Sequence, residues 1–174
     1  MKKLYHYITK GNNALEKGIF SFAKNPNADL TYYFKRSGQT THEGIIKWME
    51  NCFEGRSRGI RGFSEPIQWH DKSLSLKKFI DNADRFSINL EALEKDGLIE
   101  TIYISPAIDI QDESKVQYNI DEKLVKLNSI NDIDNTPIDW SICNDEKGYR
   151  FAVVPYYLII IKDGIIPPQY ITKE

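Results

Sequence analysis

A chain of 174 residues with 41% hydrophobic and 28% charged residues can bury a substantial core and fits a single globular domain, residues 1–174. Its formal charge of -2 excludes a protein that coats nucleic acid or anionic membrane by bulk charge, so any anionic partner must be met by a local basic patch. Cys52 and Cys143 lie far apart with no close pairing, which excludes a disulfide-dense scaffold or a cysteine metal ribbon and predicts a reduced, cytoplasmic chain.

Met1-Lys2-Lys3 is basic, but no apolar signal-peptide core follows it. The first predicted strand, Leu4 to Thr9, alternates Leu4, His6 and Ile8 on one face with Tyr5, Tyr7 and Thr9 on the other. His6 therefore points inward with two aliphatic residues, where a polar ring needs either a backbone partner or a ligand. Asn12 or Asn13 can cap a short helix through Ala14 and Leu15 that ends at Gly18, and Ile19-Phe20-Ser21-Phe22 returns to extended chain. Asn25-Pro26-Asn27 is a turn signal, and the β-branched and aromatic run Leu30 to Phe34 predicts another strand.

The clearest helix lies between Thr40 and Gly55. Thr40 and Glu43 stand in capping-box spacing, and Ile45, Ile46, Met49, Cys52 and Phe53 form one apolar stripe, which places Cys52 in the core. Gly55 to Phe63 reads as a glycine-punctuated basic loop carrying Arg56, Arg58 and Arg61, with the capacity to hold an anion. A second helix is predicted from Ser75, with Leu76, Phe79, Ile80 and Ala83 at helical spacing. From Phe86 onward either a helix over Leu90 to Lys95 closed by Gly97 or a hairpin at Asp96-Gly97 fits, and Thr101 to Ser105 is a strand on both readings.

Residues 109–135 are polar and charged, with a short strand at Val116 to Ile120. Tyr149 to Ile161 is predicted as a strand buried on both faces, with Pro155 at a bulge or an unpaired position and Asp163-Gly164 turning into a hairpin with Ile165-Ile166. The longest apolar run, Val153 to Ile161, contains Pro155 and is too short to cross a bilayer, so no membrane partner is expected. Strands at both ends with helices between them predict an α+β fold with a mixed or mainly antiparallel sheet.

The run Leu4-Tyr5-His6-Tyr7-Ile8-Thr9, a short helix and Gly18-Ile19-Phe20-Ser21 resembles the opening of the ADP-ribosyltransferase-like fold, seen in DNA-modifying ADP-ribosyltransferase toxins and RNA 2'-phosphotransferases. The closing Gly164 to Ile171 is similar to the last strand of that group, so the resemblance covers the two ends of the chain. It implies a transferase that recognises NAD or a phosphate. His6 would bond a ribose hydroxyl, Tyr32 or Tyr33 would stack on nicotinamide, and Glu146, or else Glu65, would stabilise an oxocarbenium-like centre. Its second branch uses a histidine with several arginines and no essential carboxylate, which assigns Arg56, Arg58 and Arg61 to a phosphate of NAD or of a nucleic acid. The resemblance thus gives His6, Arg61 and Glu146 as catalytic and His6, Tyr32, Tyr33, Arg56 and Arg58 as cofactor-binding, with NAD as cofactor and no metal.

A different class also fits the composition. Ten tyrosines, three tryptophans and a basic loop suit a non-enzymatic binding module for a protein or nucleic acid, and richness in Lys, Asn and Ile fits an accessory gene of an AT-rich bacterium or phage. His42-Glu43 and His70-Asp71 show no repeated metal-ligand spacing, and nothing in the sequence marks Cys143 as a nucleophile.

Overall fold

The structure, a computed structural model, describes residues 1–68, 78, 80–105, 124–134 and 155–174. Among the described residues, three antiparallel sheets and short helices make an α+β fold. The first sheet has the order β1 (Lys3–Thr9), β4 (Ala83–Asn89), β9 (Ile171–Lys173), with His6 opposite Phe86 and Ile88 opposite Ile171. The second has the order β3 (Gly59–Gly62), β7 (Tyr156–Ile161), β5 (Ile99–Ser105), β6 (Val125–Leu127). A two-stranded ribbon pairs β2 (Ile19–Phe20) with β8 (Ile165–Ile166).

All six residues of β7 are buried, as the unbroken apolar run requires of a central strand flanked by β3 and β5. Leu4, Ile60, Phe86, Ile88, Leu90, Leu93, Ile159 and Ile161 form the shared core, so the faces of both larger sheets meet in one apolar interior. Pro155 precedes the first paired residue of β7 and costs the ladder no hydrogen bond.

The helices α1 (Ala14–Lys17), α2 (Thr31–Ser37), α3 (His42–Cys52) and α4 (Leu90–Lys95) fill the connections. Asn89 caps α4 by accepting from Ala92 N at 3.1 Å, and Gly97 follows it at φ 68°, which settles the Leu90–Lys95 alternatives in favour of the helix. Gly18 ends α1 at φ 91°, and a Cβ there would run into the Ile166 carbonyl, so only glycine lets β2 reach β8.

Several expectations are corrected. Leu30 to Phe34 is not a strand: Asp29 accepts from Thr31 N at 2.9 Å, Gly38 closes the segment at φ 70°, and these two stops make α2 despite its β-prone residues. The capping residue of α3 is Thr41, accepting from Gly44 N at 3.0 Å, rather than Thr40. Cys52 is exposed, because the buried stripe of α3 is Ile45 and Met49. Ile165-Ile166 does not fold back on β7. Gly164 makes the expected turn at φ 68°, but Ser21 N donates to its carbonyl at 2.8 Å and leads the chain onto β2. Ala83 opens β4 instead of continuing a helix, whereas Lys78, Ile80 and Asp81 are helical. The short strand at Val116 to Ile120, Tyr149 to Val154, and the helical start at Ser75 lie outside the described residues. No helix among the described residues is long and apolar enough to cross a membrane.

Candidate functional site

The site begins at the seam between the two larger sheets. Tyr5 exchanges backbone hydrogen bonds with Phe63 at 2.8 and 2.9 Å, but this bridge is isolated, and β1 and β3 separate beyond it. Gly62 makes the approach possible, since a Cβ there would lie 2.9 Å from the Leu4 Cβ. Where the strands part, the side chain of His6 spans the gap and its Nδ1 donates to the Arg61 carbonyl at 2.7 Å. That bond fixes the neutral tautomer with the proton on Nδ1, so Nε2 carries a lone pair and has no hydrogen-bond partner among the described residues. Burial pushes the imidazole pKa below its ordinary 6.5, and the bond to Arg61 opposes this only in part.

A cleft of about 190 Å3 opens on that ring. His6, Arg56 and Arg61 supply its polar wall, Phe20, Phe22 and Tyr33 its aromatic one, and Met49, Ile60 and Leu158 its apolar floor. Among the described residues that line it, Arg56 and Arg61 are cationic and none is a carboxylate, so the described lining is electropositive. A second, more polar cavity of about 570 Å3 shares His6 and Phe20 as a wall and extends along Thr9, Asn13, Lys17, Lys24 and Asn27.

The arginines lie in a 3-10 segment and a strand rather than in the loop that the sequence predicts, which corrects that expectation. Gly55, at φ 88°, turns the chain into a short 3-10 segment over Arg56–Arg58, and Arg61 is part of β3, paired with Leu158 of β7. Arg56 is buried, its guanidinium stacked on Trp48 at 4.6 Å and donating from Nη1 to Cys52 Sγ at 2.8 Å. Arg61 lies over the Tyr156 ring at 5.0 Å. Arg58 takes a different direction. Its Nη1 lies 2.7 Å from Glu100 Oε1 and donates to the Ile161 and Lys162 carbonyls, which places it outside the cleft lining and in a clamp on the end of β7.

The aromatic wall is ordered by its own contacts. Phe22 meets Tyr33 edge-on at 4.8 Å and stacks on His42 at 4.7 Å, while His42 Nε2 donates to the Phe22 carbonyl at 2.7 Å. His42 is thereby a structural residue of this wall. Tyr32 precedes Tyr33 on α2. Glu146, Cys143 and His70 lie outside the described residues. Glu65 is not part of the cleft lining.

The structure thus gathers His6, Tyr33, Arg56 and Arg61 from three separate stretches of chain into one cleft. Sequence reasoning missed Phe20, Phe22 and Met49, and it also missed Glu50, whose Oε1 and Oε2 accept from Gly55 N and Ser57 N at 3.0 Å each. Among the described residues no group of three His, Cys, Asp or Glu side chains could hold a metal ion. No family model, curated protein or solved structure matches this chain.

Proposed function

We propose that the cleft at His6 binds a phosphate-bearing nucleotide and that the chain is a transferase recognising NAD or a related phosphate ester, as the ADP-ribosyltransferase-like resemblance implies. One observation carries the reading: a histidine with an open Nε2, two ordered arginines and an aromatic wall converge in a cleft that has no lining carboxylate among the described residues. Guanidinium groups suit phosphate oxygens, and stacked rings suit a planar base or nicotinamide. Nε2 can accept a hydrogen bond from a sugar hydroxyl, or take its proton when that hydroxyl becomes a nucleophile.

The described lining supplies the histidine and arginines that one branch relies on. In that branch Arg56 and Arg61 neutralise charge on the phosphoryl oxygens, and His6 positions or deprotonates the attacking hydroxyl. The other branch needs a carboxylate beside the anomeric carbon, and Glu146 is its candidate.

The cleft volume lies below the roughly 300–1,000 Å3 of a typical small-molecule pocket. It therefore suits one phosphoryl group with part of a ring, the remainder of the nucleotide crossing His6 and Phe20 into the larger cavity.

Thermal-shift titration with NAD, ADP, pyrophosphate and inorganic phosphate tests this. A rise in Tm with at least one of them, lost in Arg61→Ala, is expected. No rise with any of them at millimolar concentration would overturn the reading and favour the non-enzymatic protein-binding alternative.

A further inference from the structure

Arg56 can serve in the cleft only if its backbone is held, and the residues that hold it come from the end of α3. Trp48 and Cys52, one helical turn apart, take the guanidinium between a ring face and a thiol. Glu50 acts on the main chain. Its two carboxylate oxygens accept from the amides of Gly55 and Ser57, one on each side of Arg56, and Gly55, Arg56 and Ser57 are all buried. Gly55 must stay glycine at φ 88° for those amides to turn toward one carboxylate.

We propose that Glu50 is a positioning residue for anion binding: its bidentate clasp on the amides flanking Arg56 fixes that guanidinium in the cleft. The inference rests on the phosphate-binding reading given above. It has an unusual sign. A glutamate close to an anion site opposes anion binding through space, so removing its charge should tighten binding if charge alone mattered. A positioning role demands the reverse, because an amide left without its acceptor lets the turn and Arg56 relax.

The test is calorimetric titration of pyrophosphate into the full chain carrying Glu50→Gln, Glu50→Asp, Glu43→Gln or Arg56→Ala. Gln keeps one acceptor oxygen but turns an NH2 toward the second amide, and Asp keeps both oxygens on a shorter arm. Glu43 is on the exposed face of α3, paired with Lys47 at 3.8 Å, and serves as the charge control. For Glu50→Gln the account expects roughly tenfold weaker binding, as for the loss of one charge-assisted hydrogen bond at a buried amide. Glu50→Asp should recover part of that loss, and Glu43→Gln should change nothing. Titrations run well below each variant's melting temperature separate positioning from a loss of fold. Unchanged or tighter binding in Glu50→Gln, with Arg56→Ala weakened, overturns the role of Glu50 alone. Unchanged binding in Arg56→Ala overturns the phosphate site itself.

Discussion

Replacing His6 separates its structural duty from its chemical one. Its Nδ1 donates to the Arg61 carbonyl at 2.7 Å across the point where β1 and β3 part, and its ring lines the cleft. Asparagine can place an amide N–H near the position of Nδ1 and offers nothing at Nε2, whereas alanine removes both. His6→Ala leaves a partly buried carbonyl without that donor, a cost of about 1–2 kcal/mol, and loses some ring packing besides. A total near 2 kcal/mol corresponds in a chain of this length to a fall in Tm of roughly 4–8 °C. His6→Asn should lose less than about 1 kcal/mol.

The pH dependence follows from the same geometry. Burial holds the imidazole pKa below 6.5 in the folded chain, so between that lowered value and 6.5 the unfolded chain binds more protons. The contribution to stability is complete above pH 6.5 and declines as pH falls through that window. Urea unfolding of the native chain and both variants, repeated from about pH 8 to pH 5, measures this directly. The native chain should lose stability relative to His6→Asn on acidification. Parallel curves would refute the lowered pKa, and His6→Ala as stable as His6→Asn would refute the contribution of the bond to Arg61.

Other variants test the surrounding frame. Gly18→Ala and Gly11→Ala both force a side chain onto positive φ, but Gly11 has open space and Gly18 abuts the Ile166 carbonyl, so Gly18→Ala should be the less stable by at least about 1 kcal/mol in urea. Tyr157, fully buried on β7, accepts from Asp134 N at 2.9 Å; Tyr157→Phe should cost about 1–2 kcal/mol, read from its unfolding midpoint. The Arg58 guanidinium holds the Glu100 carboxyl below its ordinary 4.5, so that pair contributes above pH 4.5 and fades as pH falls through the lowered value. The pair is partly exposed, hence Glu100→Gln should cost less than about 1 kcal/mol at neutral pH and flatten the acid limb of the unfolding curve.

What the sequence could reveal depended on how local each determinant was. The period-two alternation from Leu4 to Ile8 sufficed for β1 and for the inward direction of His6, whereas Leu90 to Lys95 fitted a helix or a hairpin until the Asn89 cap was placed by the fold. Leu30 to Phe34 misled because its β-prone side chains outweighed the helix stops at Asp29 and Gly38, which sit just outside the run. The arginine segment misled for a different reason. Its glycines read as flexibility, yet Gly59 and Gly62 are there because β7 and β1 pass within reach of their missing Cβ atoms, a tertiary fact with no local signature. The meeting of His6 with Tyr33, Arg56 and Arg61 was legible only as residue types. Their convergence depends on the isolated Tyr5–Phe63 bridge, which no periodicity announces.

The central claim is that the open nitrogen of His6 faces a bound phosphate-bearing ligand. Imidazole 15N spectra, recorded while ADP or pyrophosphate is titrated into the native chain, measure it most directly. The account predicts that the free protein shows His6 protonated on Nδ1 and bare on Nε2 at neutral pH, that the Nε2 resonance moves to saturation with ligand, and that Arg61→Ala abolishes the movement. A His6 Nε2 resonance that stays fixed while ligand binds, or that carries the proton in the free protein, would contradict it.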